Sequence, residues 1–195
     1  VIDSLTRFTG RMRALPAWIG RGAVIGMQGG TEAVESMHAK LRDVGAPVSA
    51  FWLQDWIGAR KTSIGWQLWW NWELDHDRYP GWSEMVAGLK ADGVRVMSYL
   101  NPFLVDPTEK GSYRRNLYQE ALDRGYLIRR DGGPYLILNT SFSAAMLDLA
   151  NPEARTWIKE VIKTELIGTG ASGWMADFGE ALPFDAELHE GTDAA

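Results

Sequence analysis

Gly173-Trp174-Met175-Ala176-Asp177-Phe178-Gly179-Glu180 is the most informative stretch of the chain. Residues 173–178 form a short apolar run bounded by glycine, the pattern of a buried strand, and the run closes on a carboxylate. An apolar strand hides its side chains, so a polar group at its C-terminal end faces the mouth of a parallel sheet, where barrel and open α/β enzymes place their sites. The same layout recurs upstream. Residues 23–28 end at Gln28, residues 48–54 end at Gln54 with Asp55 behind it, and residues 94–100 run into Asn101. One polar strand end means little; four in the same position along successive strands point to one shared mouth.

The segments between these strands carry helical periodicity. Val34, Met37 and Leu41 follow Thr31, which reads as the cap of its helix; Trp82, Met85, Val86 and Leu89 give a second apolar face, and Leu117, Tyr118, Ala121 and Leu122 a third. Asn151-Pro152-Glu153 combines a capping side chain, Pro at the first helical position and an acid in the first turn. Ala154, Trp157, Ile158, Val161, Ile162 and Leu166 supply that helix's buried face, and Gly168 stops it. The stretch 131–143 reads as loop or hairpin. Strand and helix therefore alternate in series through four strands. The expected fold is α/β, a partial (β/α)8 TIM barrel of roughly the first four β/α units, because a whole barrel takes about 250 residues and the chain has 195. Residues 56–80, rich in Trp and Gly, read as an active-site loop inserted after the second strand. The chain starts at Val1 rather than Met and stops soon after Asp177, so a longer parent protein is expected.

An apolar fraction of 46% with 23% charged residues excludes general disorder. A net charge of -5 argues against a nucleic-acid partner. Cysteine is absent, which removes disulfides, thiolate chemistry and Cys-ligated metals. His38, His76 and His189 lie far apart; His38 is expected on the solvated side of its helix, and Asp75-His76-Asp77 in a solvated turn. No metal and no cofactor are expected. No stretch of 18 apolar residues marks a membrane partner, and the location expected is cytoplasmic. Gly168 to Gly173 matches G-x-G-x-x-G, but it ends a helix and enters a strand, the reverse of a dinucleotide fingerprint. The ten tryptophans call for large apolar surfaces with an N–H handle. About half are expected in the core, with Trp69, Trp70, Trp72 and Trp174 walling the mouth. Hydrogen-bonding groups beside flat apolar walls suit a sugar, which presents hydroxyl edges and C–H faces. A carboxylate such as Asp177 can attack an anomeric carbon, with Glu180 three residues on to orient the loop.

At these residues the sequence resembles a known group. Trp174 to Glu180 is similar to the nucleophile motif of the glycoside hydrolase family 31 α-glycosidases, with the likeness greatest to the sulfoquinovosidase branch. Gln54-Asp55-Trp56, Lys61-Thr62-Ser63, Trp70-Asn71-Trp72, Asn101-Pro102, Asn151-Pro152-Glu153 and Leu182-Pro183 support it over about residues 20–190. The resemblance implies that residues 1–195 are the N-terminal portion of a glycoside hydrolase catalytic barrel and that Asp177 is the nucleophile of a retaining hydrolysis. It also implies that Gln28 and Gln54 hold sugar hydroxyls and that the Trp70 indole N–H helps bind a sulfonate. Asp55, Asn101, Trp174 and Glu180 complete the expected substrate-binding set. The branch places an arginine three residues before that tryptophan, where this chain has Gln67, which offers only neutral donors; Arg60 or Lys61 can compensate from the same loop. The general acid of the resembled family lies on a later strand, so the 195 residues alone are expected to be inactive. The substrate implied is an α-sulfoquinovoside such as sulfoquinovosyl glycerol. A neutral-sugar α-glucoside is the alternative, and a non-catalytic carbohydrate-binding module or a half-barrel closing as a homo-oligomer, instead of on the remainder of the barrel, is the other.

Overall fold

The structure, a computed structural model, describes residues 2–189. An exposed helix α1 (Ile2–Thr9) comes first. Then follow β1 (Ala23–Met27), α2 (Thr31–Asp43), β2 (Val48–Leu53), a hairpin of β3 (Ala59–Thr62) and β4 (Gly65–Leu68), α3 (Trp82–Ala91), β5 (Arg95–Leu100) and β6 (Phe103–Leu104). The remainder is α4 (Leu117–Asp123), the short pair β7 (Arg129–Arg130) and β8 (Gly133–Pro134), the hairpin β9 (Leu136–Asn139) and β10 (Phe142–Met146), α5 (Pro152–Val161) widening into a π-helical stretch to Ile167, and β11 (Trp174–Ala176). β1, β2, β5 and β11 are parallel and hydrogen-bonded in that order. Parallel strands joined through helices in sequential order are four strands of a (β/α)8 barrel.

The register separates two faces. Ile25 pairs with Phe51, Phe51 with Val96, and Trp174 with Ser98. The α2 side chain His38 meets the Phe51 ring edge-on at 6.2 Å, so this face carries the helices. His38 is therefore packed against the sheet, with its side chain only 16% exposed, and not on the solvated side of α2. Gly26 pairs with Trp52, Trp52 with Met97, and Met175 with Tyr99, which defines the opposite, lumen face. Alternation carries Gln28, Gln54, Asn101 and Asp177 to the lumen side at the strand ends.

Local chemistry sets the helix starts. The Asn151 side chain accepts from the N–H groups of Glu153 and Ala154 at 2.9 and 3.4 Å ahead of Pro152, as its sequence requires. At α2 the cap position belongs to Gly30 rather than Thr31. Gly30 holds φ +89°, and a Cβ there would overlap the Arg78 carbonyl oxygen. Thr31 is the first helical residue, and its hydroxyl donates to the Pro80 carbonyl at 2.7 Å. The end of segment 56–80 is thereby pinned to the start of α2.

Residues 56–58 and 69–74 of that segment are packed, while Ile64 and Trp66 at the tip of its hairpin are exposed. Trp56 and Trp72 are fully buried, and their indole N–H groups donate to the carbonyls of Tyr99 and Phe103 at 2.9 and 2.8 Å. Six tryptophans (Trp56, Trp69, Trp70, Trp72, Trp82 and Trp157) are buried, so Trp72 belongs to the core and not to the walls of the mouth. The Asp75-His76-Asp77 turn is held from within. Asp75 Oδ1 accepts from the N–H groups of Asp77 and Arg78, and Oδ2 meets the buried Lys110 ammonium at 3.1 Å.

Candidate active site

Asp177 stands one residue past β11. Its N–H donates to the Leu100 carbonyl at 3.1 Å, which extends the β5–β11 ladder and fixes where the carboxylate emerges. Tyr99, one register step below on the lumen face, donates its hydroxyl to Asp177 Oδ2 at 3.0 Å. The Tyr99 oxygen in turn accepts from Asn101 Nδ2 at 3.3 Å, while Asn101 Oδ1 accepts from the Phe103 N–H at 2.9 Å. Tyr99 is 1% exposed, packed beside Trp52 and Trp72. Burial above all holds the phenol well above its ordinary value; the Asn101 hydrogen bond pulls it back, and the bond to the Asp177 carboxylate and that carboxylate's charge push it up again. It remains a proton donor through the whole working range. Asp177 itself is exposed, and no described residue donates to its Oδ1.

Gln28 and Gln54 meet on the lumen face of the first two strands, Gln28 Nε2 donating to Gln54 Oε1 at 2.8 Å. Both retain further amide capacity toward the lumen. Asp55 does not join them. It is 0% exposed, with Oδ2 accepting from the Gly29 N–H at 2.9 Å and the Arg78 Nε at 2.5 Å, and Oδ1 accepting from the Tyr79 hydroxyl. The expectation that Asp55 contacts a hydroxyl of the sugar gives way to a buried clamp that ties β1 and β2 to the end of segment 56–80. The signal for this lay in Arg78-Tyr79, a cation and a phenol at the far end of that segment.

An aromatic wall flanks Asp177. Trp70, 7% exposed, stacks on Phe103 at 5.4 Å and meets Phe142 and Phe178 at 5.5 and 5.7 Å. Trp70, Trp72 and Phe178 all have positive φ, at 49°, 43° and 60°. Such conformations cost non-glycine residues on the order of 1–3 kcal/mol each and persist where the surroundings over-determine them, often at functional sites. Phe178 directly follows Asp177, so its turn aims the carboxylate. Gln67 sits on β4 opposite Arg60 in the hairpin register, its Oε1 buried without a donor.

Two further expected residues are placed differently. Trp174 pairs with Ser98 and so faces the helices, three residues before Asp177 and on the opposite side of β11. It is 37% exposed there and does not line the lumen. Glu180 lies in the short turn Gly179–Ala181 and is exposed, close enough to Tyr99 to help raise its phenol. With Asp177 and Asn101 it rims a cavity of about 390 Å³ that runs between the sheet and α5, walled by Leu149, Ile158 and Ile162. A roomier depression of about 590 Å³ beside Trp157 shares no residue with this site. Sequence reasoning missed Tyr99, although its place two residues before Asn101 in a period-2 strand was a signal. It missed Phe142 and Phe178 because nothing local in sequence brings separate loops onto Trp70.

The profile of the glycosyl hydrolases family 31 TIM-barrel domain matches residues 15–195. The chain is 40% identical over its whole length to a sulfoquinovosidase of Escherichia coli (strain K12) and 36% identical to one of Agrobacterium fabrum (strain C58). It spans 28% of the length of each of these relatives. A solved family 31 sulfoquinovosidase from E. rectale, in complex with the aza-sugar inhibitor IFGSQ, superposes on 98% of the chain with a TM-score of 0.89 at 37% identity, again over 28% of that protein.

Proposed function

The chain belongs to glycosyl hydrolase family 31, and from that premise we propose that the enzyme containing it hydrolyses α-glycosidic bonds with retention, acting on α-sulfoquinovosides such as sulfoquinovosyl glycerol. One observation carries the chemistry: an exposed carboxylate at the C-terminal end of a barrel strand, on the lumen face, held at one oxygen by Tyr99 and open at the other. Similarity to proteins named sulfoquinovosidase supports the sugar.

In this mechanism Asp177 Oδ1 attacks the anomeric carbon as the C1–O bond to the leaving group breaks, and a second carboxylic acid protonates the departing oxygen. The glycosyl ester on Asp177 is then cleaved by water, which gives its proton back to that second group as the ester oxygen leaves. The partner must lie about 5–5.5 Å away. Asp55, Glu73, Asp148 and Asp185 are already committed to Arg78 and Tyr79, to Arg114, to backbone N–H groups, and to Tyr135 and Arg130. We assign the acid to a later barrel strand of the enzyme, as the family resemblance implies. Gln28 and Gln54 take sugar hydroxyls, Asn101 steadies Tyr99, and the Trp70 indole N–H helps bind the sulfonate.

Parallel assays of the full-length enzyme on p-nitrophenyl α-sulfoquinovoside and p-nitrophenyl α-glucoside test the proposal, with the first-formed anomer read by NMR. Preference for the sulfonated substrate by at least ~10-fold in kcat/KM, with the α-anomer released first, is expected. Preference for the glucoside overturns the substrate, and release of the β-anomer overturns the retaining mechanism.

Tyr99→Phe removes the hydrogen bond to Asp177 Oδ2 while keeping the ring. Because that bond holds the attacking carboxylate in place, its loss is expected to lower kcat roughly 10-fold. A purely structural Tyr99 would lower the melting temperature and leave kcat unchanged.

A further inference from the structure

We propose that Arg60 is the cation that reads the sulfonate, presenting its in-plane N–H groups beside Gln67 at the edge of the aromatic wall. This rests on the sulfonated substrate proposed above. A sulfonate is a permanent anion, and a site that selects it over a hydroxymethyl group needs a cation with donors to spare. Most cations close to this mouth are spent. Arg78 is on Asp55, Lys110 on Asp75, Arg114 on Glu73 and Arg115 on Glu120.

Arg60 is different. Its guanidinium carbon lies 4.4 Å from the Trp69 ring centroid and 3.5 Å from that of Phe142. Two π faces hold the cation in place, but they satisfy none of the N–H bonds, which point sideways in the guanidinium plane. Nε and Nη2 are sealed from solvent with no acceptor among the described residues, and Arg60 makes no ion pair there. Burial lowers this guanidinium to about 10, with Glu109 pulling the other way. A half-buried cation whose sealed N–H groups lack acceptors is a costly arrangement, and an arriving oxyanion relieves it.

The position suits a substituent remote from the anomeric carbon. Phe142, which covers Arg60, is also an edge contact of Trp70, and Trp70 reaches Phe178 beside Asp177. The cation thus stands on the same wall as the nucleophile, separated from it by aromatic rings. Nη1 is not sealed. A sulfonate arriving there, with a small outward swing of Phe142, meets Nη1 and Nη2 together, and the amide of Gln67 on the facing strand supplies a neutral donor.

The test measures kcat/KM of the full-length enzyme for p-nitrophenyl α-sulfoquinovoside and p-nitrophenyl α-glucoside in wild type, Arg60→Lys, Arg60→Met and the double variant Arg60→Met/Gln67→Arg, with thermal unfolding of each. Arg60→Met is expected to lose roughly 30-fold or more on the sulfonated substrate and less than about 3-fold on the neutral one. Arg60→Lys should lie between, because it keeps the charge and loses the fork. Gln67→Arg should restore at least about 10-fold by placing a fork on the facing strand. Equal losses on both substrates, or undiminished cleavage of the sulfonated one by Arg60→Met, overturn the proposal for Arg60 while leaving the substrate standing. A wild type that cleaves only the glucoside overturns the substrate itself, and the role of Arg60 with it. Should Arg60→Met fold poorly, the substrate ratio of Arg60→Lys decides: an unchanged ratio contradicts the proposal and a fallen one supports it.

Discussion

Asp177→Asn in the full-length enzyme is expected to lower kcat/KM on its α-glycoside by roughly 10⁴-fold or more, the scale on which removal of a covalent nucleophile acts. The fold should survive. Asp177 is exposed, its N–H bond to Leu100 does not involve the side chain, and an asparagine Oδ1 can still accept from Tyr99. Binding of unreacted glycoside should persist, because Gln28, Gln54 and the Trp70 wall are untouched. Steady-state kinetics with thermal unfolding separate these effects. Loss of turnover at an unchanged melting temperature is the expected pair. A variant that keeps a tenth of the activity removes Asp177 from the covalent step, and retained sugar affinity with no turnover even in the wild type returns the protein to a carbohydrate-binding role.

Asp55→Ala is expected to have the largest effect on stability, about 3–5 kcal/mol, because it breaks a buried pair and leaves its partners unpaired. Arg78 would lose its carboxylate in a setting where its side chain is only 30% exposed. Tyr79, whose phenol is held high by burial first and the Asp55 carboxylate second, would lose its acceptor. The Gly29 N–H at the end of β1 would lose its own. Since these groups join β1 and β2 to segment 56–80, the damage should spread to the mouth, lowering activity as well. Denaturant titration measures the loss. If Asp55 instead touched sugar, the variant would raise KM and leave the unfolding midpoint where it was.

The contrast between Asp55 and Asp177 shows what the sequence could and could not tell. Both are carboxylates at strand ends, and from sequence they look alike. Period-2 alternation separates them: Asp177 follows Met175 onto the lumen face, while Asp55 follows Leu53 onto the helix face, where it finds Arg78 and Tyr79. The four parallel strands and their helices were legible because apolar runs, capping residues and glycine stops are local signals. Trp174 reads from sequence as a wall residue because it is an aromatic close to Asp177, yet its register partner is the buried Ser98. Segment 56–80 was legible as unusual but not as packed. The burial of its two ends depends on indole N–H bonds from Trp56 and Trp72 to carbonyls 43 and 31 residues away, which no local pattern encodes. The Arg60–Phe142 contact spans separate hairpins for the same reason.

Trapping of the covalent intermediate tests the central claim most directly. The full-length enzyme, incubated with a fluorinated α-glycosyl fluoride of the preferred sugar that forms the ester quickly and releases it slowly, is digested and its peptides are mapped by mass spectrometry. The account predicts one glycosyl adduct, on Asp177 within Trp174 to Glu180, and none in the Asp177→Asn variant. An adduct on any other carboxylate, or full turnover with no adduct at all, contradicts it.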